Sequence, residues 1–106
     1  MASGHRPYVR YRSSRPGKKW DVYVPTARGQ RKVSFGQAGA SDFTMHKDKA
    51  RRERYRARHA HDKIADPYSP GFWSFYALWG ASSDSKAAFR SAVSRAKREL
   101  SRAGKS

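Results

Sequence analysis

The side chains best suited to chemistry lie in two stretches. The first is His46-Lys47-Asp48-Lys49-Ala50-Arg51-Arg52-Glu53-Arg54-Tyr55-Arg56-Ala57-Arg58-His59. On a helix, Arg51, Arg54 and Arg58 form one ridge and Arg52, Tyr55 and His59 the next, so guanidinium groups can straddle a phosphate track with Tyr55 between them. Arginine dominates, and its planar fork binds phosphate bidentately and tolerates interface burial better than an ammonium group does. The second stretch is an acid-free arm, residues 1–20, carrying Arg6, Arg10, Arg12, Arg15, Lys18 and Lys19. Tyr8, Tyr11 and Trp20 are interleaved with these cations, an arrangement able to stack bases or clamp a backbone. The expected polyanion contacts are therefore Arg10, Arg12, Arg15, Lys18 and Lys19 on the arm, with Arg51, Arg52, Arg54, Tyr55, Arg58 and His59 on the helix.

Each stretch also has a plainer reading. Asp48, Glu53 and Asp62 can pair with neighbouring arginines and leave a solvated face. In the arm, alternation favours Tyr11 and Trp20 as half of a sheet core with the arginines turned outward. The charge surplus decides for a polyanion or an acidic protein: 24 Lys and Arg stand against 8 Asp and Glu, a net charge of +16. Nothing supports base-specific recognition, because no helix-turn-helix, zinc-finger, homeodomain or aromatic RNA-recognition motif is legible.

Catalysis is not expected, and neither a catalytic residue, a metal ligand set nor a cofactor is assigned. His59, His61 and Asp62 are close in sequence, but positions 59 and 61 differ by about 200° around a helix and cannot chelate one ion there. His46 and Asp48 sit among cations, which disfavours a divalent metal and a protonated imidazole. Gly-rich phosphate loops, a nucleophile elbow and paired carboxylates are missing. A small metal-dependent nuclease is the last of the alternatives.

The elements that must carry these residues follow from pattern. Within 106 residues there is no cysteine, which removes disulfides and thiolate zinc sites. Neither a secretory signal nor an 18-residue apolar run is read, so a protein free in solution is expected. A hydrophobic fraction of 37 % is low, but three Trp, six Tyr and five Phe can supply a core. Residues 8–12, 19–24 and 31–35 alternate as strands, separated by turn chemistry at Pro16-Gly17 and Thr26 to Gly29. They predict a three-stranded antiparallel meander with Trp20, Val22, Val24, Val33 and Phe35 on one face.

Three helices are expected to cover that sheet. One spans residues 45–64 with Thr44 as N-cap, a narrow stripe of Ala50, Ala57, Ala60 and Ile64, and a stop at Asp66-Pro67. A second opens at Ser69-Pro70 and ends at Gly80, with Phe72, Phe75, Tyr76 and Trp79 on one face; it is core rather than docking surface, because the sheet needs a cover. The third runs from Ser83 to Ala103 with Phe89, Val93 and Leu100 in its stripe, and Gly104 after it. The expected class is α+β, with a basic arm over residues 1–17, one domain over 18–103 and a short tail over 104–106.

Val33-Ser34-Phe35-Gly36, Asp42-Phe43-Thr44, His46-Lys47-Asp48, Arg51-Arg52, Tyr55, Arg58-His59, Asp66-Pro67, Gly71-Phe72-Trp73-Ser74 and Leu78-Trp79 together resemble a family of short, basic, uncharacterised proteins encoded by large DNA viruses of algae and protists. The resemblance covers about residues 18–100. It implies a virion component, made at a cytoplasmic or nuclear assembly site. One role it implies is binding packaged nucleic acid; the other is a minor capsid or cement protein on acidic viral surfaces.

Overall fold

The computed structural model describes residues 5–40, 42–60 and 64–102. Three strands, β1 (Arg10–Arg12), β2 (Lys18–Thr26) and β3 (Gly29–Gln37), form an antiparallel meander in the order β1-β2-β3. Thr26 faces Gly29, Val22 faces Val33 and Trp20 faces Phe35, so one register puts the apolar residues of β2 and β3 on a single face. Val22, Val24, Val33 and Phe35 are buried, and half-buried Trp20 packs against them. β1 and β3 are the two edges of the sheet, and the first half of β3, including Arg31 and Lys32, is exposed.

β1 is shorter than the alternation over residues 8–12 suggests. Tyr8 adopts a left-handed backbone (φ 62°), which breaks the extended run for a residue with a side chain, while its N–H donates to the Tyr23 carbonyl at 2.9 Å. The chain before β1 stays attached to β2 even so, because His5 stacks on Tyr23 with ring centroids 4.3 Å apart.

The expected helix over 45–64 is two helices, α1 (Phe43–His46) and α2 (Lys49–Arg58). Thr44 is not the cap: Asp42 accepts from the Thr44 N–H and starts α1, and Asp48 accepts from the Ala50 and Arg51 N–H groups and starts α2. Lys47 between them is left-handed (φ 58°). Two short carboxylates six residues apart each compete for backbone N–H groups, so neither helix runs through the other's cap. α2 ends at His59, well before Asp66-Pro67. The small-residue stripe is also corrected, since Ala50, Ala57 and Ala60 are exposed and Ile64 only half-buried.

Ser69 caps α3 (Pro70–Trp73) with Pro70 in its first turn, as the sequence predicts. The chain then widens into a π-helical turn, Ser74–Leu78, closed by Trp79 N–H donating to the Ser74 carbonyl at 3.2 Å. Phe72, Trp73, Phe75, Ala77, Leu78 and Trp79 are all buried along this segment. Gly80 follows because a Cβ there would lie 2.3 Å from the Tyr76 carbonyl oxygen. Finally α4 (Ser85–Arg102) buries Phe89, Ala92, Ala96 and Leu100, with Val93 half-buried beside them. The predicted terminators Ala103 and Gly104 lie outside the described residues.

Trp73 joins these parts. Its ring lies 6.0 Å from Phe35 of the sheet and 5.7 Å from Phe89 of α4, and its indole N–H donates to the Pro67 carbonyl at 2.7 Å. A buried indole thus gains two aromatic contacts and satisfies its one donor. The result is an α+β fold, a three-stranded antiparallel sheet with helices gathered around an aromatic core.

Candidate nucleic-acid interface

The few acids are committed to the fold. Asp21, 2 % exposed, accepts from the Ser13 and Ser34 hydroxyls at 2.7 and 2.6 Å and from the Ser14 N–H at 3.1 Å. Its burial alone would raise the carboxyl, but these bonds and nearby Lys32 bring it below its ordinary pKa. Asp42 takes Lys19 Nζ at 2.5 Å and the Thr44 N–H at 2.9 Å. Asp48, as the α2 cap, is likewise held low, first by the Arg51 N–H. Glu53 pairs with Arg52, Glu99 with Arg102, Asp66 accepts from the Tyr68 N–H and Asp84 from the Lys86 N–H. Every described acid has a partner, and the surplus of exposed cations sets the sign of the outward field.

Not all arginines contribute equally to that field. α2 has no buried residue and could not dock through an apolar stripe. It is instead pinned through its side chains. Arg56 lies 4.1 Å over the Phe75 ring and donates to the Trp79 carbonyl at 2.9 Å. Arg52 lies 4.8 Å over Phe43 and reaches the Ala81 carbonyl at 3.3 Å, and Tyr55 stacks on Trp79 at 4.3 Å with 7° between the planes. Burial lowers the Arg56 guanidinium pKa, as it does for Arg10, which sits 4.3 Å over Trp20 and donates to Ser85 Oγ at 2.5 Å. A guanidinium suits such sites because its faces stack on aromatics while its edge still donates.

The predicted contact residues therefore divide by placement. Arg51, Arg54 and Arg58 are exposed on one face of α2, and none of them has an ion pair among the described residues. Arg12 and Arg15 are exposed and Lys18 is half-buried at the start of β2. Arg10, Lys19 and Arg52 are instead engaged within the fold, as are Tyr55 and His59, whose rings stack at 4.1 Å. Sequence reasoning missed Arg56 as an anchor. The signal was available in Arg52, Tyr55, Arg56 and His59, one docking face by i, i+3, i+4, i+7 spacing in a helix without large aliphatic residues.

Between these cations the surface is concave. A cleft of about 580 Å³ is lined by Arg12, Lys18, Trp20, Thr44 and Met45 among others, and a smaller one of about 310 Å³ by Gly36, Tyr55, His59, Ser74 and Trp79. Lys18, Lys19, Ala40 and Asp42 line both, so the two adjoin across the Lys19–Asp42 ion pair. Gly36 keeps the smaller cleft open: its φ is +80°, and a Cβ there would come within 2.9 Å of Leu78.

The histidines serve local structure. His46 Nδ1 accepts from the Asp48 N–H at 2.8 Å, and its ring packs 5.2 Å from Trp79. His61 and Asp62 lie outside the described residues. Among the described residues no group of three or more His, Asp or Glu side chains is placed to hold a metal ion, and no helix is long and apolar enough to cross a membrane.

No curated protein and no solved structure matches the chain. Residues 9–59, which run from β1 to the end of α2 and include every predicted contact residue, match the model of an uncharacterised family, described as a family of unknown function (DUF5754).

Proposed function

We propose that this protein binds nucleic acid through its phosphate backbone, without sequence preference and without catalysing a reaction. The observation that carries the reading is the division of charge. Asp21 and Asp42 are buried and the other described acids are held by caps, turns and ion pairs, while Arg51, Arg54, Arg58, Arg12 and Arg15 are exposed and Lys18 half-exposed, none of them in an ion pair among the described residues. Phosphate contacts of this kind position a chain on a polyanion and carry no sequence information. On the resemblance to short basic proteins of large DNA viruses, we read the protein as a structural component of a virion.

Salt tests this directly. Each neutralised phosphate releases condensed counterions, so six contacts to duplex DNA give a slope of log K against log salt of about −5. Fluorescence anisotropy with unrelated DNA sequences should show equal affinities that fall steeply between low and near-physiological salt. Replacing Arg51, Arg54 and Arg58 by Gln should flatten the slope by about 2–3. A flat response, or no binding at low salt, overturns the nucleic-acid reading. An acidic protein surface, as of a capsid, would then be the partner to test, by whether co-purification survives nuclease treatment.

A further inference from the structure

We infer that the strand this protein takes is single, lying in the groove formed by the two adjoining clefts, with a base against Trp20 and phosphates on Lys18 and Arg12. This deepens the nucleic-acid reading above and rests on it. Three observations converge on the groove.

The first is shape. The exposed arginines of α2 are a surface that any polyanion can meet, but the clefts are concave, with the half-buried Trp20 ring in the wall of the larger and the stacked Tyr55 and Trp79 in that of the smaller. A duplex keeps the faces of its bases inside its own stack, whereas a single strand can turn them onto a protein ring. The larger cleft, at about 580 Å³, also falls in the range of sites that enclose a small planar group.

The second is charge. Among the described residues lining either cleft Asp42 is the only acid, and its carboxylate is 4 % exposed and already bound by Lys19 and the α1 N-terminus. Lys18 and Arg12 therefore face the groove without a competing carboxylate. Both line the same cleft as Trp20, with Arg12 5.5 Å from its ring centre, so they can take phosphates while a base stacks there.

The third is the difference between the two arginines over Trp20. Arg10 is half-buried, bonded to Ser85 and 4.3 Å from the ring centre, so it fixes the indole. Arg12 is exposed and 5.5 Å away, with no hydrogen bond from its guanidinium among the described residues. A base can take its place beside the indole while the guanidinium swings onto the adjacent phosphate, so the ring is not left bare before binding.

The test compares an oligothymidylate of about 12 nucleotides with a duplex of equal length, by anisotropy at one low salt concentration, using the full chain. The single strand should bind at least about tenfold tighter and quench tryptophan fluorescence. Trp20→Leu should lose roughly 5- to 100-fold for the single strand and little for the duplex. Lys18→Glu, at a half-exposed position without an ion pair among the described residues, should abolish the preference with the fold intact by circular dichroism. Equal or tighter duplex binding, or a folded Lys18→Glu protein that keeps the full single-strand preference, overturns the groove and leaves the polyanion reading standing. No binding of either form overturns both.

Discussion

Asp21 is buried in a chain whose net charge is +16, yet it takes bonds from Ser13, Ser14 and Ser34 rather than from a single cation. Four hydroxyl and amide donors from these three serines solvate the carboxylate in place of water and tie the β1–β2 turn to β3. Since its folded pKa lies below its ordinary value, this stability is present above about pH 3.9 and is lost as pH falls through the folded value. Asp21→Asn should therefore cost about 1–3 kcal/mol at neutral pH, and the gap to the natural protein should close below the ordinary carboxylate range. Urea unfolding midpoints followed against pH check both the size and the direction. Strand alternation places Asp21 on the face opposite Trp20, Val22 and Val24, where an outward residue is expected. Nothing local distinguishes such a residue from one whose serine partners arrive from the next turn and the next strand.

At the scale of the element, α2 is a helix held by arginine. The alanine stripe on which its packing was expected faces water, and Arg52 and Arg56 lie over Phe43 and Phe75 instead. Arginine is ambiguous in a sequence because it covers apolar surface with its stem and face while its charge remains wet or bonded. The sheet and α4 were legible because periods of two and of three to four are imposed directly by burial on one face. The break at Lys47 was less so, since it depends on Asp42 and Asp48 both winning as caps. Arg56→Ala should expose Phe75, leave the Trp79 carbonyl without its donor and loosen α2 by about 1–3 kcal/mol. Amide exchange in residues 49–58 would then quicken, with the sheet unaffected. Arg54→Ala, two residues away on the exposed face, should leave exchange unchanged and weaken DNA binding. A matched effect of both substitutions on exchange would contradict the docking role of Arg56.

For the molecule as a whole, the core is small and rich in aromatic rings, and the surface carries a large excess of cations. Repulsion among these cations opposes the compact state, and salt screens it over about 8–10 Å. The melting temperature should therefore rise from low to near-physiological salt, and rise further with a polyanion that binds the folded chain. Scanning fluorimetry with sodium chloride, and with inorganic polyphosphate at equal ionic strength, separates screening from binding. A melting temperature that falls with screening would show that surface ion pairs, not repulsion, dominate. Composition alone suggested the charge; it did not show that Asp21 and Asp42 are buried, because Ser13, Ser34 and Lys19, which hold them, are distant in sequence.

The open edge of β3 acquires a meaning from that coat. Two molecules zipping together along this nine-residue strand would bring Arg31 and Lys32 of one chain against those of the other at a strand spacing of about 4.8 Å. Like charges at that range keep the edges apart in dilute solution. Once a polyanion covers them the guard is lifted, so crowding on a shared strand is the condition under which two neighbouring copies can pair through this edge.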